Sequence, residues 1–536
     1  METNNIISIR NEKNYWIATV SFFSVLLLVP VAYVISGLFI SGGDNWAHLK
    51  EHLLQDYVLN TLLLVLCTGL FSLLFGVVPA WLVARYQFPG KKIFSLLLIL
   101  PLSVPSYIMA FVYGGFFNVY GTLHFFLLDF FPDISYQVDM KNWLGLSFVM
   151  GLALFPYVYL ILYSSFKIQQ ETLIEAAQTL GAKPAEVFYK IALPLARPAL
   201  AGALFLVTME VLNDYGAASY FGIKTLTTGI FRTWFSLGDI QTAVKLASNL
   251  LLVTLFFYFL EKVLQSARKY SSSRTQKKRS HEHKLRGKNA LLAFVVCSIP
   301  VFLGILLPLF QLMFWALQSE AGFESSGLVF NSALLAFLVA IICLIIAFIN
   351  AFSNHYFKNF WTSTVVRLSS IGYAIPGAII AIGVLAPLLW LDNHYGWNTG
   401  LLINGSIFAL TYACVIRFFA VSYNALDGVM EKMPQAYPDA CKLSGVNSLK
   451  AFFKIYLPLS KGGLIAGGIL VFLDVLKELP LTLILRPFDF NTLATNAFEL
   501  ASDEALRQAA LPALCIVAMG SLALLFVRSI IKNSEI

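Results

Sequence analysis

The sequence predicts an all-α polytopic membrane protein, with about twelve transmembrane helices arranged as two parallel six-helix repeats. Composition, apolar runs of spanning length and an internal repeat carry that prediction. Of 536 residues, 58% are hydrophobic and only 12% are charged, and the mean hydropathy is +0.75. No water-soluble core needs so many uncharged runs of about 20 apolar residues. Stretches of the second half repeat those of the first at offsets of 264 to 271 residues. An even number of spans per repeat leaves both copies in one orientation, related by an axis along the membrane normal, with a pore expected between the halves.

The spans follow in order. After a polar stretch containing Arg10 and Lys13, the first runs from Trp16 to Ile40. It is too long for a removable signal peptide, and no small-residue cleavage site ends it. Further spans are expected at Tyr57–Val83, Ile93–Tyr113, Leu144–Tyr163, Pro198–Val211 onward and Ala243–Leu264. The second series is Leu291–Leu317, Ser332–Phe352, Val365–Leu391, Leu401–Val421, Gly463–Val475 onward and Ala509–Val527. Pro105 and Pro376 fall inside the third and ninth spans, and Asn60-Thr61 and Asn331-Ser332 open the second and eighth, all at an offset of 271.

Lysines and arginines near the span ends set the orientation. Arg85, Lys91, Lys92, Lys183, Lys190 and Arg197 share one side with Lys358, Arg367, Lys442, Lys450, Lys454, Arg528 and Lys532. The opposite loops carry Asp129, Asp133, Asp139, Glu320 and Glu324 against Lys141. Both termini are therefore expected in the cytoplasm. Arg268–Lys288 holds nine Lys or Arg against Glu282 alone, which reads as a solvated linker at the anionic leaflet rather than a nucleic-acid patch. His281 and His283 within it lack further ligands for a metal site. The six cysteines lie mostly in apolar runs without paired spacing, so they read as packing residues. There is no G-x-x-x-x-G-K-[ST] and no nucleophile–base constellation, so the chain supplies neither a nucleotide site nor an enzyme centre.

The most informative repeat is polar. Glu175–Pro194 reads EAAQTLGAKPAEVFYKIALP, and Asp439–Pro458 reads DACKLSGVNSLKAFFKIYLP, 264 residues later. Each reads as a short helix, a turn and a second short helix. Gly181 and Gly445 supply the left-handed residue that ends the first helix, Pro184 suits the first turn of the next, and Asn447 is an N-cap. Pro194 and Pro458 are expected to break the chain before it re-enters the bilayer. Two such segments are either interfacial amphipathic helices or two docking points for a paired soluble partner.

The pattern E-A-A, three residues, Gly, nine residues, I-x-L-P resembles the cytoplasmic "EAA" loop of binding-protein-dependent ABC importer permeases. The resemblance implies that Glu175, Ala176, Ala177, Gly181 and Pro194, with Asp439, Ala440, Gly445 and Pro458, form coupling helices against ATPase subunits. It divides the chain into a first permease repeat (1–265, coupling loop 171–195), a basic cytoplasmic linker (266–290) and a second repeat (291–536, coupling loop 435–459). Beyond the loops, EVLNDYGAASYFGIKTLTTGIFRTWF from Glu210 and DVLKELPLTLILRP from Asp474 resemble the fused two-repeat permeases of ferric-iron importers. What this implies is a multi-pass permease of the bacterial inner membrane, in contact with lipid and not with nucleic acid. Two copies of an ATPase would carry ATP and Mg, a periplasmic binding protein would deliver ferric iron, and the chain itself would hold no cofactor. A permease for thiamine or another small solute is the alternative substrate reading. A gradient-driven secondary transporter is the alternative class, but it has no ATPase to grip. Asp439 for Glu and Cys441 for Ala are departures in the second loop.

Four acids are candidates for the substrate path. Glu210 and Asp214 stand four apart on one helix, and Asp474 and Glu478 hold the equivalent places. Carboxylates at membrane depth are costly. Either Asp214 and Glu478 end their helices in water, with Lys477 neutralising a neighbour, or the acids of both halves face one pore.

Overall fold

The computed structural model describes residues 2–131, 139–168, 177, 179–266, 283–319, 325–394 and 405–534. Glu175 and Ala176, Asp133, Glu320, Glu324 and most of the basic linker, His281 included, lie outside the described residues. Twelve principal helices organise the rest. They are α1 (Glu2–Ser36), α2 (Leu54–Arg85), α3 (Ser106–Phe116), α4 (Trp143–Ile168), α5 (Arg197–Asn213) and α6 (Ile240–Ser266) in the first half. The second half has α7 (Gly287–Leu317), α8 (Ser325–Phe357), α9 (Gly377–His394), α10 (Ile407–Met430), α11 (Lys461–Leu476) and α12 (Leu506–Ser534). Among the described residues, nine helices are long and apolar enough to span a bilayer, and three bent pairs bring the total to twelve. The predicted all-α class holds. The strand content among these residues is one parallel contact of Tyr86–Gln87 (β1) with His283–Lys284 (β2), which pins the end of the linker beside α2.

The halves repeat each other in packing. In the first, α2, α4 and α5 pack mutually and α6 joins α5. In the second, α8, α10 and α11 do the same and α12 joins α11. The outer helices are exchanged: α1 and α6 pack on α9 of the second half, while α7 and α12 pack on α3 of the first. A Cβ on Gly383 would lie 2.6 Å from the Pro30 carbonyl oxygen, so the approach of α1 to α9 requires a residue without a side chain.

Several boundaries differ from expectation, each for a backbone reason. The third and ninth spans are not continuous helices. Lys91–Ser103 meets α3 at 92°, and a one-turn 3₁₀ segment, Ser370–Ala374, precedes Pro376 and α9. Each break falls at a residue held extended by the proline after it, Val104 (ψ 106°) and Ile375 (ψ 125°). Asn60-Thr61 and Asn331-Ser332 do not open their helices but sit about two turns inside α2 and α8. There they hold the extended connections that follow α5 and α11. Asn60 Nδ2 donates to the Lys224 carbonyl (3.0 Å) and Asn331 Nδ2 to that of Asn491 (3.1 Å). Thr61 and Ser332 hydroxyls accept from the amides of Leu226 and Leu493 (3.0 and 2.8 Å).

Pro194 and Pro458 do not break their helices. Five residues of π-helix, Phe188–Ala192 and Phe452–Tyr456, lie immediately before them, as Phe302–Leu306 does before Pro308. A proline removes one i→i−4 bond and crowds the carbonyl of that turn, and a wider turn just upstream relieves both. The chain bends two residues later, at Ala196 and Ser460, by 70° and 73°.

Candidate functional site

From Gly181 and Gly445 onward the two EAA-like segments fold alike. Gly181 (φ +86°) and Gly445 (φ +65°) are both left-handed. The amide that follows each glycine bonds back five residues, Ala182 to the Ala177 carbonyl and Val446 to that of Cys441, both at 3.0 Å. This closes the helix end and satisfies one of its free carbonyls. Asp439 lies in the first turn of Ala436–Leu443, exposed with Ala440, whereas Cys441 is buried. Pro184 opens the next helix in the first segment, and in the second Asn447 accepts from the Lys450 amide at 2.9 Å. Leu180 and Leu443 are 88% and 89% exposed on these polar turns.

Each segment continues through its bend into a spanning helix, α5 or α11, whose far end carries two of the four acids. All four line one cavity of about 80 Å³ between the halves. Asp214 and Glu478 do not end in water, for both are buried. Asp214 accepts from the Ser106 hydroxyl and from the amides of Ala217 (2.9 Å) and Ala218 (3.2 Å), capping the short helix Gly216–Tyr220. Glu478 Oε1 accepts from the Leu481 amide (3.1 Å) at the start of Pro480–Leu485. Glu210 and Asp474 are less occupied by backbone. Tyr157 donates to Glu210 Oε1 at 3.2 Å, and Lys477 pairs with Asp474 at 2.9 Å, the neighbour neutralisation that the sequence allowed.

Arg417 is the residue that sequence reasoning missed. It stands midway along α10 and pairs through Nε with Glu478 Oε2 at 3.4 Å, both side chains almost fully buried. Its signal was available, because a lone arginine within an apolar span is costly enough to demand a partner. Asn213 joins the halves there. Its Oδ1 accepts from Arg417 Nη1 and from the Gly377 amide (2.7 Å). At the 264-residue offset, Asn213 corresponds to Lys477 and Arg417 to Ala153, so the cavity is asymmetric although its scaffold repeats. Four carboxylates face two cationic side chains, a formal excess of two negative charges. No cluster of three His, Cys, Asp or Glu close enough to hold a metal occurs among the described residues. A second cavity of about 240 Å³ shares Leu102, Tyr157, Tyr373, Asp474 and Lys477 with the first and continues along α11 toward the EAA-like segment.

The family described as "binding-protein-dependent transport system inner membrane component" matches this chain twice, at residues 72–270 and 344–535. The chain belongs to that family. The permease is thus a membrane component of a binding-protein-dependent importer, with two family units fused in one chain. It is similar to the Fe(3+)-transport system permease protein FbpB 2 of Haemophilus influenzae, 24% identical over 471 residues, which is 87% of this chain and 88% of that protein. Its likeness to the sulfate transport system permease protein CysT of Salmonella typhimurium is 28% over 254 residues, 46% of this chain and 89% of that protein. For CysW of Escherichia coli, another sulfate permease, it is 27% over 268 residues, covering 48% and 89%. The permease spans nearly the full length of the iron protein and about twice the length of each sulfate protein.

Proposed function

We propose that this chain is the permease subunit of an ATP-driven importer that carries ferric iron from a periplasmic binding protein into the cytoplasm. In this reading the EAA-like segments and both termini face the cytoplasm. Two copies of an ATPase subunit, holding ATP and Mg, dock on the segments around Gly181 and Gly445. The exposed Leu180 and Leu443 are the apolar contacts such a partner would cover. ATP-driven closure moves each segment, and the bend at Ala196 or Ser460 passes the motion to α5 or α11. At about 1.5 Å per residue, Glu210 sits roughly 20 Å along that lever from Arg197. The acids therefore shift relative to their partners when the segments move.

The observation that carries the substrate reading is the convergence of Glu210, Asp214, Asp474 and Glu478 on one cavity with a negative excess over Arg417 and Lys477. Such a field draws in a cation and repels an oxyanion. The absence of a preformed chelating cluster among the described residues suits passage, since a tight site would retain its cargo. Full-length likeness to an iron permease supports the same reading. Sulfate is the second reading, favoured by the two sulfate permeases and by the cationic pair, and thiamine or another small solute is the third. The permease, its ATPase and its binding protein, reconstituted in liposomes, are expected to hydrolyse ATP faster with iron-loaded binding protein and to accumulate iron. Stimulation by a sulfate- or thiamine-loaded binding protein, and none by the iron form, would overturn the assignment.

A further inference from the structure

The second EAA-like segment is held by the far end of the chain. Glu12 Oε2, on α1, accepts from the Ser448 amide at 3.0 Å, and the Trp16 indole N–H donates to the Ser448 hydroxyl at 3.0 Å. Ser448 is the first residue of the helix after Gly445, where the amide has no partner within the helix. Asn447 already takes the Lys450 amide, so Glu12 completes the cap from another helix. The Trp16 ring packs on Phe352 and Phe452, with centroids at 4.8 and 5.4 Å, which fixes the indole beneath the segment.

Among the described residues, the first segment has no counterpart of this brace. The residue equivalent to Ser448 is Pro184, which carries no N–H, and the Lys183 amide before it is satisfied locally by Glu186 at 3.0 Å. The tryptophan in the equivalent aromatic cluster, Trp81, belongs to α2 of the same half and packs on Phe188 at 5.4 Å. One segment is thus capped by its own residues, and the other by a helix that also packs on α8 and α9.

We propose that Glu12 and Trp16 are positioning residues for the second coupling segment, so that the two docking points are mechanically unequal and the second moves with α1. This rests on the reading of 435–459 as a docking segment. The proline of the first segment supplies the test. Glu12→Ala leaves the Ser448 amide without its charged acceptor, while Ser448→Pro removes that amide and copies the first segment. Proline is tolerated there, because Asn447 already has the extended backbone (ψ 156°) that a following proline requires, as Lys183 has (ψ 152°).

Hydrogen exchange of the purified full chain reads the brace directly. Glu12→Ala is expected to speed exchange across residues 448–452 roughly tenfold, the effect of losing one hydrogen bond to a charged group, and to leave 185–192 unchanged. Glu12→Gln, which keeps an acceptor oxygen, restores most of the protection. In the Ser448→Pro background Glu12→Ala has no effect on residues 449–452. Unchanged exchange in Glu12→Ala, or an equal effect with and without the proline, would overturn the brace. In the reconstituted importer, Glu12→Ala is expected to raise ATP hydrolysed per substrate moved at least twofold. Faster exchange with normal coupling and normal ATPase capture would leave the hydrogen bond standing and overturn the positioning role, whereas failure of the wild-type chain to capture the ATPase would sink the docking reading instead.

Discussion

Arg417 of the second half and Asn213 of the first share a hydrogen bond in the lining of the cavity, and the same Asn213 oxygen takes the Gly377 amide. One amide side chain thus ties α5 to both α10 and the start of α9. Arg417 in turn is the charge partner of buried Glu478, so the latch between halves and the ion pair are one network.

That network predicts a large cost for truncating its arginine. Arg417→Ala leaves Glu478 as an uncompensated buried carboxylate, a loss of about 3–5 kcal/mol. Thermal unfolding of the purified permease should show a clear drop for Arg417→Ala. Arg417→Ala with Glu478→Gln should recover part of it, because the unpaired charge is gone. Arg417→Lys keeps the charge but not the fork that reaches both Glu478 and Asn213, and should fall between. A wild-type melting curve for Arg417→Ala would mean that the pair carries little of the contact between halves.

The four acids separate into two kinds, so neutralising all four is not a clean test of the pathway. Asp214 and Glu478 cap helices in buried surroundings, and their replacement should cost stability before it costs transport. Glu210 and Asp474 accept only from side chains among the interactions described above. Glu210→Gln with Asp474→Asn should therefore fold and bind the ATPase normally yet lower iron uptake at least tenfold. Undiminished uptake in that double variant would remove these two from the cation path.

Gly181 and Gly445 test the docking segments. Among the described residues nothing lies within 4 Å of the Cβ position at either, so a Cβ meets no obstacle there and the positive φ is what resists it. Valine at such a position costs roughly 1–3 kcal/mol, whereas asparagine tolerates the conformation. Gly181→Val with Gly445→Val should insert in the membrane but lose ATPase capture and transport, and the paired asparagine variant should retain both. Normal co-purification of the ATPase with the valine variant would show that these turns are not its docking points.

The sequence made the helical class and the repeat legible because both rest on short-range signals, apolar runs and matched motifs at fixed offsets. It also located the left-handed glycines, the Asn447 cap and the acids. What it hid depends on three-dimensional pairing. Pro105 and Pro376 read as residues inside a span because hydropathy does not see a 92° turn. Pro194 and Pro458 read as breaks because the π turns that accommodate them have no sequence signature of their own. The exchange of α1 onto the second half joins residues as distant as Glu12 and Ser448, and no local pattern records that. Arg417 was visible as a letter, but its partners came from α5 and the end of α11.

The loop between α1 and α2 gives a prediction that depends on pH alone. Asp239, just before α6, accepts from the Thr242 hydroxyl and amide (2.7 and 2.9 Å) and from the Asn45 amide and side chain (both 3.1 Å). Partial burial pushes its pKa up, but those four bonds together outweigh it and hold the carboxyl below its ordinary value. The approach is close enough that a Cβ on Gly43 would lie 2.0 Å from Asp239 Oδ1. A carboxyl with a depressed folded pKa contributes stability that is fully present above its unfolded value, near 3.9, and is lost as pH falls through the folded one. Melting temperature measured between pH 7 and 3 should therefore decline more steeply for wild type than for Asp239→Asn, with the two curves converging at the acid end. At pH 7 the asparagine variant should be less stable by about 1–2 kcal/mol, the bonds being partly exposed. Gly43→Ala should match or exceed that loss at every pH, since its clash does not titrate. Parallel curves for wild type and Asp239→Asn would show that the carboxylate is not what fastens this loop to α6.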